Sequence, residues 1–356
     1  MTPVEPNESP VRTGDADRVD AVTEPMRRWI ATVDGTGALE PYAAETATVA
    51  GALVAGGVDA ATACQALTGL HDALTVRLIE LCQAELGSPP CPYAWLALGS
   101  GGRMEQSLCT DQDHALVYAD DAQAGDYFAA LGTRVTDGLA RAGLRRCPGG
   151  YMADRWCMPL ARWREVFGGW VAHPEPPALV EAEVFLDFRR VAGELSTLPL
   201  AAVLRKGSGT PRFLVGMARA AVRFPPPARF AGWVRLPAGE VDLKRRGLAG
   251  VVLLARLYAL AAGALVRSTP DRLAAAAAAG TVSRDGADAL TGAYRFLTEL
   301  RLRAQVRQVS AGREPTNRVP LADLAADERR QLHQAWQTVR ELQRATELRF
   351  HTHTVL

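Results

Sequence analysis

The apolar positions follow a helical period over most of the chain and a strand-like pattern only in its middle. Leucines spaced by three and four positions predict an amphipathic helix that ends before Gly87: Leu67, Leu70, Leu74, Leu78 and Leu81. The same spacing predicts long helices over about 290–312 and 332–345. The runs 96–98, 111–118 and 183–189 are short and largely apolar, which predicts strands.

These patterns divide the chain into four regions and predict an α+β fold. Residues 1–24 are polar, acidic and proline-bearing, so we expect a disordered tail. Helices should fill 25–88, a small mixed sheet should lie in 89–200, and a helical bundle should form 201–356. The sheet would therefore be the core, with helices before it and after it in the chain.

The most apolar segment, 247–266, is about as long as a helix that spans a bilayer. Arg256 lies in its middle, and a charge at that depth in lipid is costly. We therefore interpret the segment as a buried helix of the bundle and expect no membrane partner. The helical regions are also the surfaces through which we expect any homo-oligomer to form.

The charge balance is close to neutral, because 40 basic and 39 acidic side chains give a net charge of +1. This balance argues against a general nucleic-acid partner. Only Lys206 and Lys244 are lysines in an arginine-rich chain, and a compact ammonium can serve a phosphate that a planar guanidinium does not fit. The six cysteines form no C-x-x-C pair and no leader peptide is visible, which predicts a reduced, cytoplasmic protein.

A glycine-rich turn and a pair of aspartates at the first two predicted strands point to phosphate and metal chemistry. Asp111 and Asp113 are separated by one residue, so on a strand they lie on the same face. Gly99, Ser100 and Gly102 precede them and allow close backbone approach to an anion. Mg²⁺ prefers one or two carboxylates completed by water and phosphate. Either feature alone is typical of ordinary structure, but their combination in this order is specific.

The combination resembles the Gly-Ser…Asp-x-Asp motif of the DNA polymerase β-like nucleotidyltransferase superfamily. A longer set of positions is similar both to the enzymes that uridylylate the nitrogen-signalling protein PII and to a related nucleotidyltransferase family often fused to CBS or cyclic-nucleotide-binding modules: Gly99, Ser100, Gly102, Arg103, Glu105, Thr110, Asp111 and Asp113. The resemblance implies a nucleotidyltransferase core in 89–200. It also implies transfer of an NMP unit from an NTP to an acceptor hydroxyl on a protein, with release of pyrophosphate and a role in signal transduction.

The resemblance also assigns roles to particular side chains. Asp111 and Asp113 would hold Mg²⁺ or Mn²⁺ against the triphosphate of the NTP. The nucleotide would lie against the turn and the arginine that follows it: Gly99, Ser100, Gly102 and Arg103. Glu105 is interpreted as the partner that orients Arg103.

Two further positions are candidates, each with a structural alternative. Asp187 lies inside the apolar run 183–189, where it would either pair with Arg189 or Arg190 or join the other aspartates at the metal. The resemblance favours the metal and a catalytic role, since the superfamily places a third carboxylate on a later strand. Lys244 resembles a nucleotide-binding lysine of the PII-modifying enzymes, but a solvated basic turn explains it equally well.

Other functions remain open at this stage. His71 and Asp72 resemble half of a phosphohydrolase site, but such sites need a histidine further upstream and His71 is the first in the chain. We interpret that pair as a helix-surface or interface pair. A small-molecule nucleotidyltransferase, or a nucleotide-binding regulatory or interaction module that no longer turns over, would carry the same motif. Nothing in the sequence distinguishes UTP from ATP.

Overall fold

The computed structural model describes residues 13–227, 229–230, 233–234 and 239–352. They fold into two compact units. The N-terminal unit consists of residues 18–206 and 305–315, and the C-terminal unit of residues 13–17, 207–304 and 316–352. Within the described ranges, every helix is too short or too polar to cross a bilayer.

Helices dominate both units, and the strands are short. The helices are α1 (Thr13–Thr32), α2 (Tyr42–Ala55), α3 (Ala60–Leu86), α4 (Gly99–Gly102), α5 (Gly125–Arg141), α6 (Leu160–Ala172), α7 (Pro176–Phe185), α8 (Leu198–Gly207), α9 (Pro211–Val222), α10 (Ala249–Ala261), α11 (Thr269–Ala278), α12 (Arg284–Ser310) and α13 (Ala326–Phe350). The strands are β1 (Tyr93–Ala97), β2 (Asp111–Gln112), β3 (His114–Tyr118), β4 (Arg145–Arg146), β5 (Cys157–Pro159), β6 (Arg189–Ala192), β7 (Arg229–Phe230), β8 (Trp233–Val234), β9 (Glu240–Asp242) and β10 (Arg318–Pro320). Two 3₁₀ turns and a π-helical turn complete them: Thr36–Leu39, Leu321–Asp323 and Lys244–Leu248.

A four-stranded mixed sheet in the order β5-β3-β1-β6 forms the centre of the N-terminal unit. Strand β1 is antiparallel to β3 and β6, whereas β3 is parallel to β5. Helix α3 packs on α5 and β6, and α5 packs on β3. Because helices cover the sheet, β1 and β3 are buried along almost their whole length. The predicted α+β fold with a small mixed sheet is confirmed.

The run 183–189 differs from its predicted strand. Helix α7 continues to Phe185, and the neighbour of β1 in the sheet begins only at Arg189. Pro176 starts α7 at its first turn, where proline fits a helix. Phe185 then packs against Trp156 and Trp163, with ring centroids 4.4 and 5.4 Å apart. This aromatic packing favours the helix although the run has strand-forming residues.

The N-terminal helices begin earlier than the sequence pattern predicts. Helix α1 starts at Thr13, so 13–24 is helical and the expectation of a disordered tail is wrong there; residues 1–12 lie outside the described residues.

Asp59 caps α3 by accepting from the backbone N–H groups of Ala61 and Thr62, both at 3.1 Å. This cap fixes the start of the helix that carries the predicted leucine stripe. The leucines of the stripe at 67, 70, 74 and 78 are fully buried.

The C-terminal unit is a helical bundle with a small two-stranded ladder. Helix α10 packs on α9, α11 and α13 and buries most of its residues, including Arg256, so the prediction of a buried helix is confirmed. Strands β9 and β10 pair antiparallel, with Asp242 opposite Arg318. The sequence predicts only helices after residue 201. Strands this short carry no periodic pattern, so their pairing is a tertiary effect.

Candidate functional site

The glycine turn and the second aspartate of the pair lie in contact. The Leu98 N–H donates to the Asp113 carbonyl at 2.9 Å, which extends the β1–β3 ladder to the start of α4. A Cβ atom on Gly99, whose φ is +49°, would lie 3.0 Å from Asp113 Oδ2. Glycine at 99 therefore suits the left-handed backbone and leaves room for the carboxylate. The first N–H groups of α4 have no partner inside the helix, as at any helix start.

Gly102 is close to a different part of the chain. A Cβ atom there would lie 1.5 Å from the carbonyl oxygen of Asp187, which is far inside any allowed contact. The Gly102 N–H donates to the Leu98 carbonyl at 2.9 Å. Gly102 is buried, so the structure explains this glycine by backbone packing between α4 and the segment before β6. Its predicted contact with a nucleotide is untested.

Asp111 lies at the start of β2, next to an arginine from the neighbouring strand. Strands β2 and β4 are parallel, with Asp111 opposite Arg145. The Arg145 guanidinium is 3.4 Å from Asp111 Oδ1 and also donates to Cys109 Sγ at 3.0 Å. The Asp111 side chain keeps 28% of its surface exposed. The carboxylate is therefore open to solvent, with a cation on one side.

Asp113 has the thiol of Cys147 as a neighbour. Burial raises the pKa of Cys147 to about 11, and Asp113 adds to this by charge and as a hydrogen-bond partner. Tyr151 lies in the same environment, where burial and then Glu181, Cys147, Asp113 and Glu183 raise the pKa of its hydroxyl. The segment between β4 and β5 thus returns to the aspartate pair and places the protonated thiol of Cys147 beside Asp113.

The predicted third carboxylate lies in a buried ion pair. Asp187 is 1% exposed, and Arg103 Nη1 donates to its Oδ2. Arg103 Nε donates to Glu105 Oε2 at 2.7 Å, in agreement with the interpretation of Glu105 as its orienting partner. Burial by itself lowers the pKa of Arg103, but Glu105 and Asp187 raise it by more, so the guanidinium stays charged. Arg103 therefore neutralises two carboxylates within the fold.

The expected partners of Asp187 bind elsewhere. Arg189 pairs with Asp72 on α3 at 2.9 Å and donates to the Gly101 carbonyl at 3.0 Å. Arg190 donates to the Glu194 carbonyl at 3.2 Å. The structural alternative for Asp187 is thus an ion pair with Arg103 of the glycine turn and not with Arg189 or Arg190, while its favoured role at the metal stays a prediction. Among the described residues no group of three acidic, histidine or cysteine side chains is close enough to hold a metal ion.

The His71–Asp72 pair is interior rather than on the helix surface. His71 Nδ1 is 2.5 Å from the hydroxyl of Tyr42, and the histidine is 7% exposed. Asp72 binds Arg189, which also donates to the Gly101 carbonyl and so ties α3 to α4 and β6. Burial raises the pKa of Asp72, although Arg189 lowers it. The pair is therefore an interface pair within the N-terminal unit, as one of the two interpretations predicts.

His114 directly follows the aspartate pair and is a residue that the sequence analysis missed. The Ala153 N–H donates to its Nδ1 at 3.0 Å, so the ring proton lies on Nε2. Nε2 in turn donates to Gln112 Oε1 at 3.0 Å, and Gln112 Nε2 donates to the Leu144 carbonyl at 2.8 Å. This chain of bonds ties β2 and β3 to the segment 144–153 and so positions Asp113 between them. No motif identifies such a residue, because its partner Ala153 is 39 positions away.

We expect the stability of the N-terminal unit to fall on mild acidification. Burial lowers the pKa of His114 to about 3 and that of His71 to about 4, from an ordinary value of 6.5. Between those values and 6.5 the unfolded chain binds more protons than the folded chain, so stability decreases as pH falls. Each histidine contributes a slope of up to about 1.4 kcal/mol per pH unit.

Urea unfolding at pH 7, 6 and 5 measures this slope. The variant His114→Gln should lose part of it, whereas exposed His173→Gln should keep the wild-type slope. A slope that is identical in the wild type and in His114→Gln would contradict the expectation.

Lys244 lies in the C-terminal unit, at the start of the π-helical turn that leads into α10. It is exposed.

The structure thus brings Gly99, Ser100 and Asp113 together, places Asp111 on the adjoining strand, and holds Gly102, Arg103 and Asp187 in one buried contact. Lys244 belongs to a separate unit, so its predicted nucleotide contact stays a prediction.

Two protein-family models match the chain. The model described as "Putative nucleotidyltransferase DUF294" matches residues 44–177. The model described as "Putative nucleotidyltransferase substrate binding domain" matches residues 211–350. No curated protein matches the chain. Because the two matches together cover most of the chain and follow one another as the two units do, the chain belongs to this nucleotidyltransferase family.

Proposed function

We propose that the chain transfers an NMP unit from an NTP to an acceptor hydroxyl and releases pyrophosphate. The observation that carries the proposal is the contact between the glycine turn and the aspartate pair, in which Gly99 accommodates Asp113. The family match supports nucleotidyl transfer in general. Hydroxyl attack on the α-phosphate needs a site that receives the triphosphate beside carboxylates, and this turn and pair provide both.

The proposed divalent cation would bind Asp111 and Asp113 without Asp187, because Asp187 is paired with Arg103. Asp111 is partly open to solvent with a 3.4 Å contact to Arg145, and Asp113 accepts from the thiol of Cys147. Mg²⁺ typically binds through one or two carboxylates and keeps waters and phosphate oxygens for its other positions. These two aspartates would hold Mg²⁺ or Mn²⁺, which when bound would neutralise charge on the triphosphate.

Other residues of the chain would bind and orient the nucleotide. Ser100 is the partly exposed residue of the turn, so its hydroxyl and the first N–H groups of α4 would bind phosphate oxygens. Arg145 lies beside Asp111 and would offset charge at that carboxylate. Arg103 and Asp187 would not touch the nucleotide. They would position α4 through their ion pair, and Gly102 permits the close packing of α4 on the segment that carries Asp187.

The finer parts of the proposal rest on the resemblance to PII uridylyltransferases. A protein acceptor, a role in signal transduction and the nucleotide contact of Lys244 all come from it. A cytoplasmic location agrees with the six cysteines, all of which are free thiols. A near-neutral net charge supports a protein rather than a nucleic-acid acceptor.

Pyrophosphate release tests the proposal. The full chain is incubated with each of the four NTPs, Mg²⁺ or Mn²⁺, and cell lysate as a source of acceptor. We expect release with at least one NTP and labelled nucleotide on a macromolecule, both lost in Asp111→Asn/Asp113→Asn. The control is Asp126→Asn, an exposed aspartate of α5, which should behave as the wild type. Equal release by the wild type and the double variant would contradict the proposal.

A second candidate is a nucleotide-binding module without turnover. The observation that favours it is the engagement of Asp187 by Arg103, which leaves two carboxylates rather than three at the turn. Its expected result in the same experiment is Mg²⁺-dependent NTP binding without pyrophosphate release. Transfer of labelled nucleotide to a small metabolite would instead indicate a small-molecule nucleotidyltransferase.

A further inference from the structure

The C-terminal unit has an open pocket of about 720 Å³ in which several arginines converge. Its charged lining residues are Arg223, Arg245, Arg246, Arg318, Glu240 and Asp242. A volume of this size is within the range of small-molecule sites. Four arginines and two acidic residues line the pocket, so the lining carries an excess of positive charge.

Three separate elements supply the arginines. Arg223 follows α9, and the π-helical turn Lys244–Leu248 carries the adjacent Arg245 and Arg246. Arg318 lies on β10, directly opposite Asp242 of β9. A solvated basic turn would need no arginines from other elements. A site for an anion, in contrast, needs cations that converge from different directions.

The π-helical turn is held in place by packing. A Cβ atom on Gly247 would lie 2.9 Å from Leu297 Cδ1, and Leu248 is buried. The Arg245 N–H donates to Asp242 Oδ1 at 2.9 Å, so the turn uses one of the two pocket carboxylates as a cap. π-Helical turns are frequent at functional sites. The backbone that carries the two arginines is therefore preorganised.

Two of these arginines, Arg245 and Arg246, are open to a ligand. Arg245 and Arg246 are exposed, and within the described part of the chain neither has a carboxylate partner within 4.0 Å. The Arg223 guanidinium lies 5.0 Å from the centre of the Phe224 ring, and such stacking restrains a planar guanidinium.

We propose that this pocket binds a small molecule through its phosphate group. A guanidinium donates two parallel hydrogen bonds to phosphate, and several of them around one group bind it at many angles. A phosphate monoester carries close to two negative charges at neutral pH, which matches the excess of positive charge in the lining. This binding does not depend on nucleotidyl transfer.

Calorimetric titration of the full chain tests the proposal, with inorganic phosphate, ribose 5-phosphate and UMP as probes and without divalent metal. We expect binding that weakens with salt and is weakened at least about tenfold in Arg246→Gln and in Arg245→Gln. Arg330→Gln removes an exposed arginine of α13 outside the pocket and should bind as the wild type. Asp111→Asn/Asp113→Asn should also bind normally, which separates this site from the proposed transferase site.

The probes distinguish the sources of the phosphate. Equal affinity for ribose 5-phosphate and UMP would support recognition of a sugar phosphate, and much tighter binding of UMP would support a nucleotide. Absence of binding to all three probes at millimolar concentration would overturn the proposal. So would equal affinity of Arg246→Gln and Arg330→Gln for the probes, or binding of succinate as tight as that of ribose 5-phosphate.

Discussion

Replacing Gly102 by alanine should destabilise the N-terminal unit by about 4 kcal/mol or more, which is in the range that unfolds a typical domain. The added Cβ would lie 1.5 Å from the Asp187 carbonyl oxygen and 2.7 Å from its carbonyl carbon. Both are backbone atoms, so no side-chain rotation relieves the clash. Relief requires α4 to move away from the segment before β6, which breaks the buried Arg103–Asp187 pair.

Thermal unfolding of Gly102→Ala measures this effect, and we expect the midpoint to fall by about 10 °C or the variant to be insoluble. The matched control is Gly168→Ala, because Gly168 lies in α6 with nothing within 4 Å of its added Cβ. Alanine there should be neutral or stabilising by up to about 1 kcal/mol. Similar midpoints for Gly102→Ala and Gly168→Ala would contradict the packing described for α4.

The sequence predicts the parts of the site that are local in the chain. The apolar runs before Gly99 and after Asp113 identify β1 and β3, and a ladder between them brings turn and aspartate together. Helices with a leucine stripe are equally predictable, since burial of one face needs only a regular spacing. These elements follow from patterns of a few residues.

The missed parts are contacts between residues far apart in the chain. Asp187 is bound by Arg103, 84 positions away, although two arginines follow it directly. His114 accepts from Ala153, 39 positions away, and nothing in the sequence between them indicates a bond. A buried charge must have a partner, but the sequence does not identify which one. The end of α7 at Phe185 has the same origin, because the aromatic packing that favours it is tertiary.

Asp113→Asn and Asp187→Asn should have opposite effects on activity and on stability. Asp113 is partly exposed and accepts from a thiol, so asparagine at 113 should cost little stability. As a proposed cation ligand it should lower pyrophosphate release at least about a hundredfold. Asp187 is fully buried against Arg103, so asparagine at 187 leaves that guanidinium with only Glu105. Weakening such a buried pair should cost about 3 kcal/mol or more.

Urea unfolding and pyrophosphate release measured on the same two variants separate the roles of the two aspartates. If Asp187 acts by positioning α4, the activity that remains in Asp187→Asn should recover at low temperature, where more of the chain is folded. If Asp187 instead binds the cation, Asp187→Asn should stay inactive while folded and should need more Mg²⁺ than the wild type. Full stability together with complete inactivity of Asp187→Asn would contradict the positioning role. The ion pair with Arg103 favours that role, because a carboxylate that already has a buried cationic partner must give up this pair before it can bind a metal.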